Sequence, residues 1–261
     1  MEQKWTCCEK HVSEKAACGG EYDHLLSHDP NDHALRERWQ FYETPVRNRP
    51  DHRLAVAIDC EMGSASDGES ELIRLTVIDY FLGKTLIDTL VYPDIAMQHF
   101  NTRWSGVTRS QMEKARRQRS CLFGTAAARA AIFQYVGRGT FVVGHGMSHD
   151  LLSLRWRHNR IIDSFLMESN IRKAAQREVG GGGSNKRETE GSAPPQKTGQ
   201  ANDGKIARKR HPDGKSLKAL ALKNLGRSIQ VGKGHDSLED AVAARDLVDF
   251  YIRGLWAPSG N

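Results

Sequence analysis

Long apolar runs are missing from this sequence. No apolar stretch in its 261 residues approaches the ~20 needed to span a bilayer, which excludes a membrane-spanning helix. The opening, MEQKWTCCEKHV, lacks the apolar core of a secretory signal, so secretion is not expected. Cysteine is scarce. Five cysteines, an odd number without regular spacing, exclude a disulfide framework and favour a reducing compartment, nucleus or cytosol. There is no internal repeat. Large apolar residues nearly vanish from about 178 to 214, in EVGGGGSNKRETEGSAPPQKTGQANDGKIARKRHPDG. Such a segment cannot offset the entropy of ordering and reads as a disordered insertion.

What is present is a mildly basic chain of net charge +6, a weak pointer to polyanionic partners. Three parts are visible. Residues 1–50 form an N-terminal extension, 51–256 a folded body interrupted by the insertion at 178–214, and 257–261 a tail. In the extension, DHALRERWQFYE places Leu35, Trp39 and Tyr42 at helical spacing, the pattern of a helix docking on a core. In the body, LAVAIDC is strand-rich. ELIRLTVIDY and KTLIDTLVY read as a hairpin around Gly83. GTAAARAAIFQYV predicts a helix, TFVVGH a buried strand, HDLLSLRWRH a helix and RIID a strand. SLKALALKNLG, ending on Gly226, and SLEDAVAARDLVDFYI predict two more helices. The order implies an α/β fold, a mixed β-sheet flanked by helices.

LAVAIDCEMG ends an apolar strand on two acids. Strand side chains alternate, so Asp59 and Glu61 share a face and Cys60 points into packing. Alone this is a weak signal, since two acids at a strand end simply suit solvent. Asp150 follows the buried strand and falls in the first turn of the next helix. Asp240 lies one turn into the last helix, where Asp236 reads as N-cap and Glu239 as the closing residue of a capping box. His235 precedes that cap on a glycine-bearing loop, taken to be mobile. Four carboxylates of this kind repel one another unless a cation joins them, and hard oxygen ligands suit Mg²⁺ or Mn²⁺. Two such ions about 3.5–4 Å apart hold both the attacking and the leaving oxygen of a phosphodiester.

In order, Asp59-x-Glu61, Asp150 and His235-x4-Asp240 resemble the DEDDh exonucleases of the ribonuclease H-like fold. VVGHGMSHDL, RIIDS and YPDIAMQHFNTRWSGVT are similar to the eukaryotic RNA exonuclease branch, and RWQFYETP to its fungal members. The resemblance implies a 3′→5′ exonuclease releasing nucleoside 5′-monophosphates. It implies that Asp59, Glu61, Asp150 and Asp240 hold two divalent metal ions, and that His235 is the general base. Met62, Arg103, Trp104 and Ser105 match positions near the substrate. RNA is the expected partner, ahead of single-stranded DNA. The branch also implies ribosomal RNA processing and a nuclear or nucleolar address. The competing class is a nucleic-acid-binding protein that has lost catalysis. His149 stands where relatives often carry Asn, and His145 and His149 read as structural, as does Asp163.

Cys7, Cys8, Cys18 and His24, with His11 nearby, supply enough ligands for one tetrahedral zinc. The alternative is a tail with free thiols. KIARKRHP is either a nuclear localisation or phosphate-binding patch, or a loop that happens to be basic. Arg109, Lys114, Arg116, Arg117 and Arg119 either track a nucleic-acid backbone or form a solvated helix face.

Overall fold

The computed structural model describes residues 40–46, 49–180, 214–232 and 234–256. The cysteines of the N-terminal extension, most of its expected docking helix and nearly all of the insertion lie outside the described residues. The chain divides between Tyr42 and Glu43, and the architecture below is that of Glu43–Asn261.

A seven-stranded mixed sheet forms the centre. Its strands are β1 (Ala55–Ala65), β2 (Ser70–Asp79), β3 (Thr85–Tyr92), β4 (Met97–His99), β5 (Leu122–Phe123), β6 (Phe141–Gly144) and β7 (Ile161–Asp163). The spatial order is β5-β3-β2-β1-β6-β7, with β4 added beside β1. β1, β2 and β3 run antiparallel to their neighbours among themselves, while β6 and β7 continue parallel to β1. The expected hairpin around Gly83 is β2–β3. Its turn is closed by Asp79, whose Oδ1 accepts the N–H groups of Phe81 and Leu82.

Helices cover both faces, which is why β1 is buried almost continuously. They are α1 (Thr102–Ser105), α2 (Arg109–Gln118), α3 (Gly124–Ile132), α4 (Ser148–Ser153), α5 (Ser164–Gly180), α6 (Leu217–Leu225) and α7 (Ser237–Trp256). One face of β1 sends Val56, Ile58 and Cys60 into a core with Ala128 and Ile132 of α3 and with Met147 and Leu154, which flank α4. The other face packs Ala57 against Ala241 and Val248 of α7. Fully burying a Val or Ile in such a layer contributes about 1.5–3 kcal/mol. A third cluster joins α6 to α7 through Leu220, Ile229 and Leu247. Ser216 caps α6 by accepting the Ala219 N–H, and Gly226 ends the helix with φ 63°.

Two local expectations are corrected. HDLLSLRWRH is helical only to Ser153. Arg155 turns the chain at φ 49°, and Trp156 is drawn inward, its indole N–H donating to Thr44 Oγ1 at 2.9 Å. Burial of that ring overrides the helical pattern. The capping box at α7 is also incomplete. Asp236 does accept the Leu238 N–H at 3.0 Å, but Glu239 reaches away to the Gln230 N–H at 2.8 Å. No helix among the described residues is long and apolar enough to cross a membrane.

Candidate active site

The alternation of β1 decides where its acids go. Asp59 and Glu61 share the face of Ala57, the one that α7 covers. Asp240, in the first turn of α7, therefore descends onto them. The three carboxylates offer ligand atoms that all lie within 4.8 Å of one another. A register shift between Glu61 and Met62 interrupts the ladder with β2 here, and pairing resumes from Met62 to Ser64. The start of α7 is fixed from β2 as well. Arg74 bonds Asp88 and reaches Asp236 at 3.2 Å, and Thr76 Oγ1 lies 2.7 Å from Ser237 Oγ.

Glu61 and Asp240 are buried, and Asp59 is half-buried. Burial first, then the charges of Asp150, Asp240 and Glu61, pushes the Asp59 carboxyl well above its ordinary range. Burial likewise raises Glu61 from an ordinary 4.5 to about 8, against the opposing pull of His235. Glu61 Oε1 is buried with no hydrogen-bond partner. An orphaned oxygen within a cluster of mutually repelling hard donors fits a divalent cation, which would satisfy the atom and neutralise the repulsion. Asp59, Glu61 and Asp240 are the residues placed to hold it.

Asp150, the expected fourth corner, comes from another element. It belongs to α4 and is not among the three acids within 4.8 Å of one another, but of the neighbouring charges its own acts most on Asp59. Its Oδ1 accepts the Cys60 backbone N–H at 2.9 Å. Burial raises its carboxyl to about 7, and its charge still reaches Asp59. Cys60 is buried as expected, and burial pushes its thiol up, away from the reactive thiolate.

His235 sits on a loop that is held in place. Its N–H bonds the Trp104 carbonyl, and the rings of Trp104 and His235 meet edge-on at 6.3 Å. Behind them Gly234, at φ 97°, passes so close to Gly106 that a Cβ on it would lie 2.9 Å from the Gly106 backbone. His235 Nδ1 faces Asp240 Oδ2 at 3.4 Å, and this contact raises the imidazole above its usual value.

A cavity of about 740 Å³ opens beside His235, lined among others by Arg103, Trp104, Lys218 and Gln230. Trp104 is 60% exposed, with the Arg103 guanidinium 5.2 Å from its ring centre. Ser105 does not fit the substrate role expected of it. It is buried, and its hydroxyl is used within its own loop, donating to the Phe100 carbonyl at 2.7 Å and accepting from Val107 N–H at 3.1 Å. Met62 is half-buried against the core, and its carbonyl accepts from Asn101. His145 is structural, as expected. Its Nδ1 meets Ser164 Oγ at 2.9 Å, and burial holds it below its usual value. Asp163 is structural too, accepting the N–H groups of Gly146, Met147 and Phe165. His149 is exposed. Gln230 and Lys218 are not marked in SLKALALKNLGRSIQ, since nothing local shows that Gln230 meets Asp240 or that Lys218 lines the cavity.

No protein-family model matches the chain. RNA exonuclease 3 of Yarrowia lipolytica is 34% identical over 203 residues, which cover 76% of this chain and 21% of that protein. RNA exonuclease 3 of Candida albicans is 27% identical over 96% of this chain and 51% of its own length. The human apoptosis-enhancing nuclease is 31% identical over 74% of this chain and 48% of its own. The chain thus spans from 21% to 51% of the length of these relatives. Among solved structures, the Neurospora crassa Pan2 catalytic unit, described as protease and nuclease domain, is similar with a TM-score of 0.54 at 20% identity, over 87% of this chain and 31% of that one. The Pan2 module of Saccharomyces cerevisiae in complex with A7 RNA gives 0.52 at 19% identity, over 84% and 32%.

The mixed sheet with its converging acids is that of the ribonuclease H-like exonucleases, and the chain belongs to the DEDD exonuclease superfamily. Within it, the curated relatives place the chain with the fungal RNA exonuclease 3 type.

Proposed function

We propose that the chain is a metal-dependent 3′→5′ exoribonuclease that releases nucleoside 5′-monophosphates. The observation that carries this is the meeting of Asp59, Glu61 and Asp240 within 4.8 Å, beside His235. Two ions, Mg²⁺ or Mn²⁺, held by these carboxylates together with Asp150, would polarise the phosphodiester and offset its growing charge.

The protein's own part follows from the geometry. His235 turns Nδ1 to Asp240, which leaves Nε2 to take a proton from the attacking water. The Asp240 charge supports the imidazolium so formed. Water oxygen bonds to phosphorus, the bond to the 3′ oxygen breaks, and that oxygen takes up a proton from solvent, so the shortened strand ends in a 3′-hydroxyl. Trp104 offers an exposed face for a base, while Arg103 and Lys218 offer cations to phosphates.

RNA is preferred over single-stranded DNA in this proposal because the fungal relatives are named RNA exonucleases and a Pan2 neighbour was solved with RNA. Ribosomal RNA processing and a nuclear or nucleolar address belong to the same proposal. End-labelled RNA and DNA, digested over time with each divalent metal, test polarity, sugar and cofactor together. Asp59→Ala and Asp240→Ala should abolish digestion with the fold intact, and undiminished digestion by either defeats the mechanism. Zinc content with and without the N-terminal extension decides between a zinc site and free thiols at Cys7, Cys8, Cys18 and His24.

A further inference from the structure

We infer that Gln230 is a positioning residue that sets the relative placement of Asp240 and His235. This rests on the function proposed above. Gln230 lies between α6 and α7 and adopts φ 55°, a left-handed conformation that costs a non-glycine residue strain. Glycine would sit there freely, so the backbone gives no reason for a glutamine. The side chain does.

Its Nε2 donates to both carboxylate oxygens of Asp240, at 3.1 and 2.9 Å. The same nitrogen lies 3.5 Å from His235 Nδ1. A carboxylate only accepts, so the amide nitrogen rather than its oxygen must face Asp240. Gln230 is itself clamped from both helices. Glu239 Oε2 accepts its backbone N–H at 2.8 Å, and Lys218 Nζ donates to its carbonyl at 2.9 Å. The preceding Ile229 is fully buried and anchors the loop.

The carboxamide therefore fixes the rotamer of one expected metal ligand and borders the expected base. Partners that orient a ligand in this way typically change metal affinity or activity by about 10–100-fold when removed. The clamp also explains why Glu239 abandons the capping box. Its carboxylate holds the glutamine instead of the Asp236 N–H.

Gln230→Gly separates the two readings of this position, because it removes the carboxamide and relieves the strained φ at once. A purely structural residue would leave metal binding and turnover unchanged. Positioning predicts an unchanged or higher melting temperature, Mn²⁺ affinity down by about 10–100-fold in the absence of RNA, and kcat down similarly with KM nearly constant. Gln230→Glu, which replaces the donor with a repelling charge, should not rescue either quantity. Wild-type Mn²⁺ affinity and kcat in Gln230→Gly overturn this inference alone. A wild-type protein that neither binds Mn²⁺ nor digests RNA overturns the proposed function, and this inference with it.

Discussion

The backbone N–H of Cys60 donates to Asp150 Oδ1 at 2.9 Å. Asp150 is thus a structural acceptor as well as a charge near Asp59. Asp150→Asn keeps an oxygen for the Cys60 N–H and removes the charge. It should lose digestion while keeping stability. Asp150→Ala leaves a buried N–H without a partner and should also lose about 1–3 kcal/mol in urea unfolding.

The acid cluster sets a pH dependence. The Glu61 carboxyl stands at about 8 in the fold against an ordinary 4.5. Between those values the folded state keeps a proton that the unfolded chain has released. This contribution to stability is full below the lower value and is lost as pH rises through the upper one. Asp150, raised to about 7, acts in the same direction. In EDTA the melting temperature should fall between about pH 5 and pH 8. Mn²⁺ should raise it most at the alkaline end, since binding displaces protons from its ligands. A flat melting profile in EDTA would contradict this.

Gly234 and Gly232 share a loop but not a surrounding. An added Cβ at Gly234 meets the Gly106 backbone at 2.9 Å, whereas at Gly232 it meets open space. Gly234→Ala should lower kcat by displacing His235, toward the roughly 10²–10⁴-fold of full general-base loss. Gly232→Ala should leave kcat unchanged. Single-turnover digestion of labelled RNA reads both.

Trp104 and Ser105 are neighbours with opposite assignments. Loss of one stacked base contact costs about 1–3 kcal/mol, so Trp104→Ala should raise KM by roughly 5–150-fold with a smaller change in kcat. Ser105→Ala removes two hydrogen bonds inside the loop, and should lower the melting temperature more than it changes KM. Steady-state kinetics paired with thermal melts separates the two.

The readable parts of this protein are those in which a residue's neighbours in sequence settle its environment. The alternation of Asp59, Cys60 and Glu61 is such a case, and so are the Gly83 hairpin and the Gly226 helix end. Where partners come from distant segments, pattern is silent. The place of Asp150 beside Asp59 could be read from order along the chain, but its bond to the Cys60 N–H could not. Trp156 broke a helical pattern because Thr44 waits for its indole N–H. Gln230 was overlooked for a related reason. Its carboxamide reaches Asp240 from a loop that turns at φ 55°, and no local motif announces that contact.

The contact of Gly234 with Gly106 joins the loop of His235 to the loop of Trp104, and the bond from His235 N–H to the Trp104 carbonyl seals it. The platform offered to a base and the acceptor offered to a proton are therefore tied together directly. In the reaction proposed above, a strand end that shifts the Trp104 loop would shift His235 with it. Under the proposed function, a strand end that seats badly on Trp104 would meet a misplaced base, with no separate step needed to reject it.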